Sequence, residues 1–247
     1  MGCGASGPKP LTLEEMIAGL KDTLFAAVRL AIAQIGKAGG FLNDARLKID
    51  IPTVLGDIMD FARKSPIDAI KNKVDEFEAK LNSAAEKSCS AALDTFIEAI
   101  RGMNFRDAKA VLEGPADGGS AYFEEVCDKP LREKFTPIIE HTLKDEGVAT
   151  VLDVMIQAWS MADAAAEAVA DAAGAAFGAI GGAFGMASAP KEEKPKKEAP
   201  PCDLAEYICD KALKGLWLVL REKEGLVRGS SSHHTTDAMK RCYAPKK

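Results

Sequence analysis

The chain has 247 residues, 47% of them hydrophobic, which is enough material for one or two domains with a real core. A net charge of −5 and a pI near 5.4, with Lys and Arg interspersed among Asp and Glu, argue against a nucleic-acid binder. Six cysteines (Cys3, Cys89, Cys127, Cys202, Cys209 and Cys242) show no C-x-x-C spacing, so neither a disulfide scaffold nor a zinc site is expected.

Residues 1–10 carry three Gly and two Pro without apolar periodicity and read as a tether. Within them, Met1-Gly2-Cys3-Gly4-Ala5-Ser6 has the form of an N-myristoylation site at Gly2, with Cys3 beside it as a palmitoyl acceptor. A single myristoyl chain holds a protein only marginally, so a second signal is needed. Lys9 is the lone basic residue nearby, which leaves Cys3 rather than a polybasic patch in that role. No secretory signal pattern precedes the first helix, and a reducing compartment with free thiols is expected.

Thr12 followed by Glu14 and Glu15 predicts a helix start, and Met16, Leu20, Leu24, Val28 and Ile32 continue at helical spacing until Gly36, Gly39 and Gly40. A long connection, Phe41 to Pro52, is extended near its end because Pro52 disfavours a helical predecessor. A second helix is predicted over about 53–63. The strongest pattern, Ile70, Val74, Phe77, Leu81, Ala85, Cys89, Leu93, Phe96 and Ile100, predicts one long central helix over about 65–102. Shorter helices follow at about 104–113, 119–128 and 130–146, separated by Gly114-Pro115, Gly118-Gly119 and Pro130, and another at about 148–171.

From 172 to 202 the chain turns Ala/Gly-rich and then Lys/Glu/Pro-rich and reads as a linker, in which Gly178, Gly182 and Gly185 offer either close helix contact or a floppy connector. The longest uncharged run, Ala172 to Pro190, is too weakly hydrophobic to span a bilayer. Asp203 with Glu206 predicts a capped helix through Leu204, Ile208, Ala212, Leu216 and Val219, ending near Arg228-Gly229. A short helix near Thr236 to Cys242 closes the order. With no alternating segment of useful length, the fold class is all-α: one multi-helix bundle-like domain over 11–171, with C-terminal helices 203–243 packing on it across the flexible insert.

Asp75, Glu78, Asn82 and Glu86 recur on one face of the predicted central helix, where paired carboxylates serve acid–base work or a hard cation, or else a solvated or Arg-paired surface. Glu78, Asn82, Glu86, Tyr122 and Arg228 are therefore the polar-cluster or ligand candidates. The adjacent His233 and His234 form too small a donor set for zinc and read as a polar turn before the last helix, so no metal and no cofactor are called. Tyr122-Phe123, Phe135, Trp159 and Trp217 are core residues or the lining of a cavity. No P-loop, nucleophile elbow, dinucleotide fingerprint or H-E-x-x-H occurs, so no catalytic residue is assigned.

Three blocks, taken in order, resemble the all-helical domain-of-unknown-function family 4197. They are Gly36 to Asn43 with Ile49-Asp50-Ile51-Pro52; Val74 to Phe77, Leu81 to Glu86, Met103 to Ala108 and Ala121-Tyr122-Phe123; and Lys211 to Trp217 with Glu222, Glu224, Arg228 and Thr235-Thr236. The resemblance implies a helical fold over about 14–243, excluding the linker, and carries no activity. Many relatives begin with a secretory signal, whereas this chain begins with an acylation motif.

The expected product is a non-catalytic, dually acylated helical adaptor or apolar-ligand (lipid) binder on the cytoplasmic face of a membrane, such as the plasma membrane. Its partners would be that membrane through acyl chains and a lipid or a protein, with no nucleic acid. Two alternatives stand beside it: an enzyme on a membrane-derived substrate that uses Glu78, Asn82 and Glu86, and a structural component of a membrane-bound assembly.

Overall fold

The computed structural model describes residues 11–182 and 202–243; the Gly2 and Cys3 acylation motif and most of the predicted linker lie outside them. Every regular element among the described residues is helical, in agreement with the all-α expectation. Helix α1 (Leu13–Ile35) begins with a reciprocal capping box: the Thr12 hydroxyl accepts the Glu15 amide and the Glu15 carboxylate accepts the Thr12 amide at 2.8 Å. A 3-10 turn at Thr53–Leu55 leads into α2 (Gly56–Lys64).

The long central helix does not form as one piece. It divides into α3 (Asp68–Ser90) and α4 (Leu93–Gly102), with Ala91 and Ala92 held by i to i−3 bonds to the Ser88 and Cys89 carbonyls. The physical cause lies in side chains that compete with the helix ladder: Ser88 Oγ bonds the Ala85 carbonyl at 2.8 Å, and Ser90 Oγ bonds those of Gly36 and Glu86 at 2.9 and 3.1 Å. Buried apolar residues lie on both sides of the break, Cys89 before it and Ala92 and Phe96 after it, so periodicity alone could not reveal the turn.

Helix α5 (Phe105–Glu113) is capped by Asn104, whose side chain accepts the Asp107 amide. The opposite correction applies to the next two predicted helices, which merge into α6 (Gly118–Asp145) with Pro130 and Pro137 inside it. Proline inside a helix costs about 3 kcal/mol. Packing on both sides of the site offsets that here: Phe123, Cys127, Leu131, Phe135 and Ile139 form an unbroken buried face while Pro130 stays on the exposed one. Helix α7 (Val148–Gly182) continues past the end expected at about 171, and α8 (Leu204–Gly229) is followed by a 3-10 turn at Ser231–His233 and α9 (Asp237–Cys242).

The described residues divide into two compact units, the first drawn from 11–49, 82–142 and 204–243 and the second from 50–81, 143–182 and 202–203. In the first, α1 packs against α4, α5, α8 and α9. Its core is aromatic at the centre, with the Phe96 ring edge-on to Phe123 at 5.3 Å and to Trp217 at 5.8 Å. In the second, α2 packs on α7 and buries Ile58, Met59, Ala62, Val74, Phe77, Leu81, Val151 and Met155.

Candidate functional site

Glycines end α1, and the chain then needs a way back to the helical body without regular backbone bonds. Gly39 adopts φ +76°, a left-handed conformation that side-chain-bearing residues rarely take. This turn aims the amides of Gly39, Phe41 and Leu42 at one point, and the Glu86 carboxylate of α3 occupies it. Oε2 accepts the Gly39 amide at 3.1 Å, and Oε1 accepts those of Phe41 and Leu42 at 3.0 and 3.4 Å. Glu86 is 7% exposed, so these bonds satisfy a carboxylate that has left water.

One helical turn away, fully buried Asn82 clamps the other end of the same connection. Its Oδ1 accepts the Ile49 amide at 2.8 Å and its Nδ2 donates to the Ile49 carbonyl at 3.0 Å, the pairing a neighbouring strand would give. Asn82 and Glu86 thus share a helix face, as their spacing predicts, and both serve the 39–49 connection. Phe41, between these clamps, is wholly buried and packs so close to α8 that a Cβ on Gly215 would meet its Cε1 at 2.7 Å.

A second buried carboxylate escaped the sequence reading as a site. Glu224 of α8, with no exposed surface, sits at the N-terminus of α6, where Oε1 accepts the Gly119 amide at 3.0 Å. Its Oε2 accepts the Ser120 amide at 2.7 Å and the Ser120 hydroxyl at 2.6 Å. Helix N-termini favour negative charge because their first amides lack intrahelical acceptors. Arg228, one turn along α8, completes the arrangement with Nη2 2.6 Å from Glu224 Oε1. There is no room for a side chain at Gly119, where a Cβ would lie 2.1 Å from Leu24 Cδ2 and 2.6 Å from Glu224 Oε1. The available sequence signal was Gly118-Gly119-Ser120 at a helix start together with Glu224 four residues before Arg228.

The remaining candidates lie elsewhere. Tyr122 lines a cleft of about 480 Å³ between α5 and the first turns of α6, where burial and the neighbouring Asp107 carboxylate push its phenol up from the usual range. Glu78 lines a separate cleft of about 350 Å³ with Asp50, Met59, Asp60 and Arg63. His234 is 7% exposed, its Nε2 lies 2.9 Å from the Val227 carbonyl and its ring packs on Tyr243 at 5.3 Å. Thr236 caps α9 and donates its hydroxyl to Asp22 Oδ2 at 2.7 Å, tying the last helix to α1. Phe123, Phe135 and Trp217 are buried, and Trp159 is half-buried. Asn82 and Glu86 thus serve the 39–49 connection and Arg228 the Glu224 arrangement, while Tyr122 and Glu78 each line a cleft.

Cys89, Cys127 and Cys209 are buried free thiols. Burial raises all three above the usual range, Cys127 to about 11, so each favours the protonated form. Among the described residues no group of three or more His, Cys, Asp or Glu side chains is placed to hold a metal ion, and no helix is long and apolar enough to cross a membrane.

Comparison with known proteins gives one family match, described as "Protein of unknown function (DUF4197)", over residues 10–244. No curated protein and no solved structure matches the chain.

Proposed function

Taking as premise that this chain belongs to the DUF4197 family, we propose that it is a non-catalytic helical adaptor held at the cytoplasmic face of a membrane by acyl chains on Gly2 and Cys3. One observation carries the non-catalytic part. Asn82, Glu86 and Glu224 are buried polar side chains of the kind from which an active site would be built. Their acceptor atoms are taken up by the main-chain amides of Ile49, Gly39, Phe41, Gly119 and Ser120. A carboxylate engaged in this way holds the fold. The enzyme alternative would draw on Glu78, Asn82 and Glu86 together, and the engagement of Asn82 and Glu86 with the main chain speaks for the adaptor.

Between an adaptor and a lipid carrier, the cleft walls favour the adaptor. Each cleft sets charged side chains among its lining, Asp107 and Glu125 in one and Asp50, Asp60, Arg63 and Glu78 in the other. Sites for lipid chains are predominantly apolar. The tether rests on the Gly2-Cys3 motif, whose two acyl chains together would give stable attachment where one gives only reversible binding.

The test is alkyne-myristate and alkyne-palmitate labelling of wild type, Gly2→Ala and Cys3→Ser in eukaryotic cells, with membrane fractionation of each. The expected result is myristate only on chains with Gly2, and loss of both palmitate and membrane association in Cys3→Ser. Absence of both labels, with all three proteins in the soluble fraction, overturns the tether.

A further inference from the structure

The cleft between α5 and α6 takes no part in either clamp. Its wall is aliphatic at Val111, Pro115 and Val126, the last of which keeps 40% of its surface exposed. Two carboxylates, Asp107 and Glu125, are set into the same lining, with the Tyr122 ring between them in sequence. No Lys, Arg or His is among the residues that line it. An apolar wall with carboxylates and a phenol ring suits a cation on an aliphatic stem. The stem covers the aliphatic surface while the charged head meets the carboxylates or the ring face. An anionic ligand would face both carboxylates there.

Size narrows the occupant. A cleft of about 480 Å³ has room for one or two long side chains, and an extended segment presents such side chains on one face at every second residue. We propose that the α5–α6 cleft is a docking site for an extended segment of a partner protein that alternates Lys or Arg with aliphatic residues. This assignment rests on the adaptor reading, since it supplies the partner that an adaptor requires.

Purified, unacylated full-length chain, labelled with ¹⁵N, is titrated with an acetylated and amidated Leu-Lys-Leu-Lys-Leu peptide and followed by amide chemical shifts. Parallel titrations use the Leu-Glu-Leu-Glu-Leu counterpart and spermidine. The expected result is shift changes concentrated in residues 105–126 with the lysine peptide, none with the glutamate peptide, and no displacement by equimolar spermidine. The paired substitution Asp107→Asn with Glu125→Gln is expected to weaken binding at least tenfold at unchanged helix content. Equal binding by that variant, equal competition by spermidine, or shifts outside the cleft each overturn the proposal. Because the purified chain carries no acyl group, failure here combined with positive acyl labelling removes the cleft and leaves the tether standing. Success here with negative labelling does the reverse.

Discussion

Replacing Glu86 with alanine tests the central claim that this carboxylate organises the 39–49 connection. The side chain receives two well-placed amides, from Gly39 at 3.1 Å and Phe41 at 3.0 Å, and a long third from Leu42 at 3.4 Å. A hydrogen bond to a charged acceptor contributes about 1.5–3 kcal/mol, and an amide left buried without an acceptor costs about 1–3 kcal/mol. These figures describe the same loss from two sides, so they are not summed. Two orphaned amides at 1.5–2.5 each, with the third adding little, give a destabilisation of about 3–5 kcal/mol. That is a large share of the roughly 5–15 kcal/mol by which domains are stable. Glu86→Gln keeps one acceptor oxygen but turns an amide donor toward a main-chain donor, so it is expected to fall between wild type and Glu86→Ala. The assay is urea unfolding followed by circular dichroism, with native-state hydrogen exchange read at Gly39 and Phe41. A loss below about 1 kcal/mol in Glu86→Ala, or unchanged protection of those two amides, would refute the reasoning.

Four further outcomes follow from the same packing. Gly119→Ala is expected to cost more than about 2 kcal/mol, because its Cβ would lie 2.1 Å from Leu24 and 2.6 Å from the Glu224 carboxylate. Gly225→Ala on the same α8 as Glu224 meets nothing within 4 Å and is expected to stabilise by about 0.5–1 kcal/mol, both changes read by thermal denaturation. Asn82→Asp is expected to be at least as damaging as Asn82→Ala in chemical denaturation, because its second oxygen would face the Ile49 carbonyl inside the fold, and a milder effect than alanine would contradict the assigned pairing. Burial raises the folded Cys127 thiol from 9.0 to about 11, so its contribution to stability is complete below about pH 9 and is lost as pH rises toward 11. Cys127→Ser should flatten that alkaline fall in melting temperature.

Much of the site was written in the chain without being recognisable as a site. Asn82 and Glu86 were legible as one helix face because their four-residue spacing places them there in any helix. Whether that face met water, a metal or the main chain depended on a turn far away in sequence, formed only because Gly39 takes a left-handed conformation. Glu224 and Gly119 lie 105 positions apart, and nothing local to either announces the other. The helix boundaries divide in the same way. Thr12 with Glu14 and Glu15 marked one start, which the structure caps through Glu15, and Asn104 caps another through a bond just as short in sequence. The turn at Ala91-Ala92 and the continuation through Pro130 went against local signals. In the first, Ser90 bonds the Gly36 carbonyl, 54 positions away in the chain; in the second, a buried face from Phe123 to Ile139 outweighed the missing amide.

The sequence by itself determined the all-α class, most helix starts and the apolar faces, because these depend on contacts within a few residues and on a periodicity every helix shares. Tertiary structure alone decided which helices join or divide, and which polar side chains are spent on holding the chain together. Those outcomes turn on pairings between distant segments, where a buried carboxylate or amide is stable only if another part of the chain brings it a partner.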